Sequence, residues 1–350
     1  MPPEPLHVVA PEGIDDPARP SGGNHYDRRL VDELRGLDRQ VHVHEAPGAW
    51  PDPSPPDVHG LGTLLDELPD QATLLVDGLV ASAVPDLLAR RATRLRLFVL
   101  VHLPLGVLSA SRRPAEAALL ARVAGVVATS GWTRAWLHEH YDLPEERVHV
   151  AVPGTDAAGL VAGSRDGGAL LCVGAVTPTK GQDVLVEALT SLADLPWRCT
   201  LVGSLEVDPG FAERLCEQLA AAGLADRVTL AGVRTGPDLD ATYAAADLLV
   251  LPSRAETYGM VLTEALARGL PAVAARTGGT PESLGRTADG RVPGLFVPPG
   301  DADALAAALR SWLTDSALRT CLRATARVRR GSLPAWSATA RAVARALEAR

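Results

Sequence analysis

Short apolar runs alternating with helical patterns constrain this chain more than any other feature. Residues 6–10, 41–45, 73–77, 95–102, 125–129 and 148–152 read as strands, and a second series follows at 170–173, 199–203, 228–231, 247–251, 272–274 and 295–297. Strands that alternate with helices build parallel sheets covered on both faces. The pattern loosens around 152–156, and 163–168 is polar and glycine-rich, so both read as linker. At 350 residues the chain accommodates two domains of ordinary size, and the expectation is two facing, doubly wound, Rossmann-like α/β domains, 1–160 and 161–333, with a cleft between them.

In such sheets ligands gather beyond the carboxyl ends of the strands, which directs attention to the stretch from Leu251 to Pro271. It reads as a strand end, a tight loop holding Glu256, a helix opening near Gly259, and a stop at Gly269 and Pro271. A helix N-terminus offers unpaired N–H groups and partial positive charge, and a glycine there lets the backbone of Gly259, Met260 and Val261 approach a phosphate closely. Glu256 and Glu264 flank that point; carboxylates suit vicinal hydroxyls better than phosphates.

The Glu-x7-Glu spacing, the Tyr258-Gly259 pair and the Glu264-Ala-Leu-Ala-Arg-Gly-Leu-Pro271 continuation together resemble the signature of family 4 retaining glycosyltransferases of GT-B fold. The resemblance implies that Glu256 contacts the donor sugar, Glu264 the ribose of the nucleotide, and the backbone from Gly259 to Val261 the sugar and diphosphate. Tyr258 belongs to the same loop. The run Gly174-Ala175-Val176-Thr177-Pro178-Thr179-Lys180-Gly181 is similar to the family's Gly-Arg-Leu-x-x-x-Lys-Gly loop, in which an Arg and a Lys grip the diphosphate. Lys180 matches the lysine, whereas Ala175 stands where the arginine is expected; either Lys180 carries the charge largely alone, or activity is weak, or, as is preferred, another cation such as Arg254, Arg234 or Arg276 substitutes. Gly22 and Gly23 match a Gly-Gly that lets the first domain's backbone approach donor and acceptor. His102, at the end of its strand, matches a histidine near the anomeric region of the sugar. Gly203 and the turn Gly232-Val233-Arg234 match loops that pack the base and ribose, and Gly278-Gly279-Thr280-Pro281-Glu282 matches a Gly-Gly-x-Pro-Glu turn near the phosphates. The family's last helix crosses back onto the first domain, so 334–350 is expected to do so here.

Other features exclude rival classes. The first glycine turn lacks Gly-x-Gly-x-x-Gly spacing, which weakens a dinucleotide reading. With 47% apolar and 22% charged residues the chain is globular, and its net charge of -8 argues against a nucleic-acid partner. Arg90, Arg91, Arg94 and Arg96 cluster, as do Arg112 and Arg113; they read as solvated helix ends, with an anionic lipid or acidic substrate as the alternative. Cys172, Cys199, Cys216 and Cys321 have no paired spacing and read as buried free thiols. His42 and His44 share a strand face but lack an evident third ligand for zinc. Asp301-Ala302-Asp303 has the Asp-x-Asp form of a manganese site, yet helix capping explains it. The start, Met1 to Pro5, has neither a charged nor an apolar leader region, and 94–108 is too short and polar to span a bilayer, so a cytoplasmic chain is expected.

The resemblance implies a retaining hexosyltransferase that needs no metal or permanently bound cofactor. It would move sugar from a nucleotide-sugar, a UDP-sugar ahead of a GDP-sugar, to a small-molecule acceptor. A membrane-associated transferase with a lipid acceptor, a nucleotide-sugar epimerase and a non-catalytic nucleotide-sugar-binding subunit are the alternatives. Peripheral membrane contact and oligomeric state stay open.

Overall fold

The computed structural model describes residues 5–14, 16 and 20–349. Part of the Pro- and Asp-containing loop after the first strand, and Met1 to Glu4 of the expected leaderless start, lie outside them. The chain divides into two compact units: one runs to Gly154 and takes the chain back from Pro334, and the other runs from Thr155 to Leu333.

The first unit holds one parallel sheet of strands β1 (Leu6–Pro11), β2 (Val41–Ala46), β3 (Thr73–Asp77), β4 (Arg96–Val101), β5 (Gly125–Ala128) and β6 (Val148–Val150), in spatial order β2-β1-β3-β4-β5-β6. The order reverses between β1 and β3, which makes the carboxyl ends of those strands the natural ligand crevice. The second unit holds β7 (Ala169–Val173), β8 (Arg198–Val202), β9 (Val228–Leu230), β10 (Leu248–Leu251), β11 (Ala272–Ala275) and β12 (Gly294–Val297), in order β12-β11-β10-β7-β8-β9. Here the reversal falls between β7 and β10. Every expected strand is present, with ends shifted by a residue or two, as terminal pairing rather than core burial decides where a ladder stops.

Strand alternation builds the core on both sheet faces. In β10, Leu248 and Val250 join one buried cluster, with Val184, Leu215 and Trp312, while Leu249 and Leu251 join another, with Leu262, Leu266 and Leu284. In the first unit, Leu74, Val76, Leu97 and Val99 pack against Leu61, Leu65 and Leu88. The helix Trp336–Glu348 returns to this unit, where Thr339 Oγ1 donates to Val152 O (2.8 Å) and the Trp336 ring stands edge-on to Tyr26. No helix among the described residues is long and apolar enough to cross a membrane.

Two expectations need correction. The polar run 163–168 is not loose linker, because Asp247, 1% exposed, fixes it to the second unit. Its carboxylate accepts from Ser164 N, Ser164 Oγ (2.6 Å) and Ala169 N (2.9 Å), and pairs with Arg323 Nη2 (2.8 Å). Cys172 and Cys199 are buried, but Cys216 and Cys321 are exposed. On the helix Pro209–Ala221 the buried stripe is Phe211, Ala212, Leu215 and Leu219, and Cys216 falls beside it; on Ser316–Arg330 Cys321 likewise misses the stripe of Leu322, Thr325 and Ala326.

Removing the Asp247 carboxylate strands a guanidinium and three donors. Asp247→Ala is therefore expected to destabilise the second unit by about 3 kcal/mol, read as a lower urea midpoint with unchanged slope. A loss within experimental error would show that Asp247 does not hold the segment.

Candidate functional site

In the second unit the loops that follow adjacent strands are laced together by backbone hydrogen bonds. Gly203 N donates to Gly232 O (2.8 Å), Val176 N to Ser204 O (2.9 Å), Arg254 N to Thr179 O (2.8 Å) and Gly279 N to Glu256 O (3.0 Å). The lateral order of the sheet thus continues into its loops. Close approach permits it: a Cβ on Gly278 would lie 1.7 Å from Glu256 O, and one on Gly203 2.0 Å from Gly174 O. Any side chain at those positions would push the loops apart.

Lys180 and Glu256 meet at the reversal between β7 and β10. Lys180 Nζ lies 2.7 Å from a Glu256 carboxylate oxygen, and its aliphatic stem runs over Gly174. Both side chains keep solvent access, 31% for Lys180 and 11% for Glu256, so the pair is a partly open one. Gly259 adopts a left-handed conformation (φ 86°) immediately before the helix Met260–Ala267, and the first N–H groups of that helix have no intrahelical acceptor. Glu264 lies one and a half turns along. Its carboxylate accepts from Tyr243 Oη (2.8 Å), and burial holds it above the usual carboxylate range despite the opposing Tyr243 and Arg268. The Arg268 guanidinium lies 4.5 Å from the centre of the Tyr243 ring, fixing that phenol from its other face.

The three candidate substitutes for the missing arginine are all engaged. Arg254 grips Asp183 through both terminal nitrogens (2.8 and 2.7 Å). Arg234 donates to Thr242 Oγ1 (2.6 Å), on the loop after β9, and Arg276 lies over the Phe296 ring (4.4 Å). Ala175 itself is pinned through its carbonyl by Gln182 Nε2 (2.9 Å). Tyr258 is 5% exposed, so its ring belongs to the core beneath the loop. Asp301 accepts from Ala304 N (2.8 Å), the expected helix cap.

The first unit gathers a separate cluster at the carboxyl ends of β1, β3 and β4. Ser21 caps the helix Gly22–Arg35, and that helix presents Gly23 and Asp27 to His102. His102 Nε2 lies 2.8 Å from Asp27 Oδ1 and 3.4 Å from Asp77 Oδ2, and a Cβ on Gly23 would sit 3.5 Å from the ring. Asp27 and Asp77 are 3% and 6% exposed, and neither emerged from sequence reasoning, since only the fold brings positions so far apart together. Burial alone would lower the His102 pKa, but Asp27 and Asp77 outweigh it and raise it. Asp77 is pushed up to about 7, by burial and by Asp27, against the pull of His102 and of the Leu79 and Val80 N–H groups. The ligand atoms of these three residues lie within 4.8 Å of one another, and the imidazole edge stands between the two carboxylates.

Arg91, Arg94, Arg112 and Arg113 of the arginine clusters have partners within the protein, and Arg90 is exposed. Arg91 pairs with Asp66 (2.7 Å), Arg94 with Asp70 (3.2 Å), and Arg112 with Asp52 (2.7 Å), while Arg113 donates to Gly106 O (2.9 Å).

Comparison with known proteins matches the two halves separately. Residues 6–158 match the family described as Glycosyltransferase Family 4, and residues 164–329 the family described as Glycosyl transferases group 1. The chain is 34% identical over 232 residues to D-inositol 3-phosphate glycosyltransferase 1 of Catenulispora acidiphila, covering 60% of this chain and 54% of that protein. It is 32% identical over 246 residues to the D-inositol 3-phosphate glycosyltransferase of Pseudarthrobacter chlorophenolicus, covering 65% and 56%. The alignment thus spans little more than half of each of these relatives. Among solved structures, sucrose-phosphate synthase from Thermosynechococcus elongatus superposes with a TM-score of 0.80 at 24% identity over 98% of both chains. Anabaena HepE in complex with UDP and glucose gives 0.77 at 18% identity, over 99% of this chain and 100% of that one. Both carry the GT-B fold, and so does this chain.

The Asp77 shift has a definite sign in stability. Between its ordinary 3.8 and about 7, the folded chain keeps a proton that the unfolded chain releases, so stability falls as pH rises through that window. The raised His102 slopes the same way, its contribution present below 6.5 and lost as pH climbs through its higher folded value. The melting temperature of the wild type relative to Asp77→Asn should therefore fall from pH 4 to pH 8; a constant difference would contradict the assignment.

Proposed function

Because the chain belongs to the GT-B glycosyltransferases, its halves matching the family 4 and group 1 models in turn, we propose that it is a retaining, metal-independent hexosyltransferase. It moves a sugar from a nucleotide-sugar to a small-molecule acceptor. The observation that carries this reading is the Lys180–Glu256 pair at the sheet's reversal point, beside the helix N-terminus from Gly259 to Val261. A cation, a set of unpaired N–H groups and a hydroxyl-binding carboxylate together suit a sugar attached to a diphosphate.

In the proposed reaction Lys180 exchanges Glu256 for a phosphate oxygen, and the N–H groups at Gly259 to Val261 share the diphosphate charge. Glu256, released from the lysine, accepts from sugar hydroxyls, and Glu264 accepts from the ribose. The loops at Gly203 and Arg234 are assigned to the nucleoside, and Gly22, Gly23 and His102 keep the donor-side roles that the resemblance implies. The anomeric carbon–phosphate oxygen bond breaks as the acceptor oxygen bonds to the same face of that carbon. A leaving phosphate oxygen takes the acceptor's proton. Developing charge falls where donors already stand, the condition under which electrostatic preorganisation lowers a barrier.

UDP is the favoured nucleotide, supported by the HepE complexes with UDP and UDP-glucose. D-inositol 3-phosphate is the first acceptor to try, since the curated relatives bear its name. A lipid acceptor is less favoured, because Arg91, Arg94 and Arg112 are paired with Asp66, Asp70 and Asp52.

Thermal-shift screening against UDP, GDP, ADP and their sugars, with EDTA present, should give a selective rise with the uridine compounds. No rise with any of them would overturn the donor assignment. Lys180→Ala and Glu264→Ala should each lower kcat/KM at least tenfold, about 1.4 kcal/mol or more in the barrier. Unchanged turnover would remove both from the site. The anomeric configuration of the product, read by NMR before mutarotation, decides between retention and inversion.

A further inference from the structure

The ring of His102 is held along one edge and open along the other. Nε2 faces Asp27 at 2.8 Å and Asp77 at 3.4 Å, and the adjacent Cδ2 packs towards Gly23. Nδ1, on the opposite edge, has no hydrogen-bond partner among the described residues and is not among the buried unpartnered atoms. The ionisable groups facing the ring are Asp27 and Tyr26 from the helix Gly22–Arg35 and Asp77 from the end of β3. Tyr26 stands edge-on (5.1 Å) with its hydroxyl turned away to Ala151 O (2.8 Å). Asp77 is already committed: its Oδ1 accepts from Leu79 N (2.7 Å) and Val80 N (3.3 Å) as the cap of the next helix. Asp27 is thus the nearer carboxylate and the one directed at the ring.

We propose that Asp27 is a positioning residue that keeps His102 protonated on both nitrogens, so that Nδ1–H is presented as a hydrogen-bond donor to a sugar or phosphate oxygen of the substrate. A neutral imidazole held by Asp27 through Nε2–H would leave Nδ1 as an acceptor, able to receive a hydroxyl proton but unable to support a developing negative oxygen. The second proton changes what the open edge can do. Burial of Asp27 at 3% exposure is consistent with this role, because an interior carboxylate left without a cationic partner is costly. The raised proton affinity of His102 agrees in direction. The substrate half of the proposal rests on the transferase reading above; the protonation half does not.

The test reads the ring directly. In the full chain without ligand, long-range nitrogen–proton NMR of uniformly 15N-labelled protein should find His102 mainly protonated on Nδ1 and Nε2 at pH 6.5, with a midpoint above that value. Asp27→Asn, nearly isosteric, should lower that midpoint by about one pH unit or more. A His102 mainly neutral at pH 6.5 in the wild type overturns the proposal without any variant, and so does an unchanged midpoint in a folded Asp27→Asn protein. In turnover assays with a UDP-sugar, Asp27→Asn should reduce kcat more than it alters KM and move the alkaline limb of the kcat–pH profile down with the midpoint. An unmoved limb overturns the substrate role. Failure of the wild type to turn over any donor would count against the transferase reading, and with it that role, while the NMR result still decides the protonation state.

Discussion

The candidate donor site depends on backbone meeting backbone beyond the ends of the strands. Each inter-loop hydrogen bond contributes roughly 0.5–1.5 kcal/mol net, a modest amount alone. Their arrangement matters more than their sum, because they carry the lateral order β11-β10-β7-β8-β9 into the loops. Lys180 follows β7 and Glu256 follows β10, residues 76 apart in sequence, yet the parallel pairing of those two strands delivers them to one point. Gly278, whose missing Cβ admits Glu256 O, lets the next loop clamp the carboxylate-bearing one from the far side. Sheet topology, glycine placement and charge pairing are therefore one construction.

The two clusters handle buried charge differently, and the difference follows from exposure. Lys180 and Glu256 retain solvent access, so each can trade its partner for a ligand at small cost. Asp27 and Asp77, at 3% and 6% exposure, are more enclosed. Two carboxylates share one imidazole there, and the frustration appears as an Asp77 that holds its proton to about 7. Under the two proposals, one cluster exchanges partners and the other holds a protonation state.

What the sequence could reveal follows the same division between local and distant. Strands, the cap at Asp301 and the helix start at Gly259 were legible because their causes lie within a few residues: apolar runs, an acidic cap, a glycine able to take positive φ. Lys180, Glu256 and Glu264 were legible as a pattern resembling a known motif, although their contacts were not. Asp27 escaped, since it looks like one more polar residue on an amphipathic helix until β4 brings His102 against it, 75 positions later. The run at 163–168 misled for the converse reason: its glycines and polar residues have a loop's composition, and the Asp247 carboxylate that fixes them is about 80 residues away. Cys216 and Cys321 show that apolar neighbours in sequence do not fix the side of a helix on which a residue falls.

The alanine at 175 ties these threads together. Arg254, Arg234 and Arg276 each rest on a partner: Asp183, Thr242 and the Phe296 ring. Leaving those arginines where they stand, the cationic complement is one lysine plus a helix N-terminus equivalent to about half a charge, set against the roughly two negative charges of a nucleotide-sugar diphosphate. Under the proposed reading, Lys180 turns from Glu256 to the phosphate, and sugar hydroxyls replace the lysine's hydrogen bond to that carboxylate. Phosphate binding and sugar recognition are thereby coupled through a single ion pair. A nucleotide without its sugar would strand the carboxylate, and a sugar unable to donate there would do the same, so selectivity for an intact donor follows from the sparse positive charge.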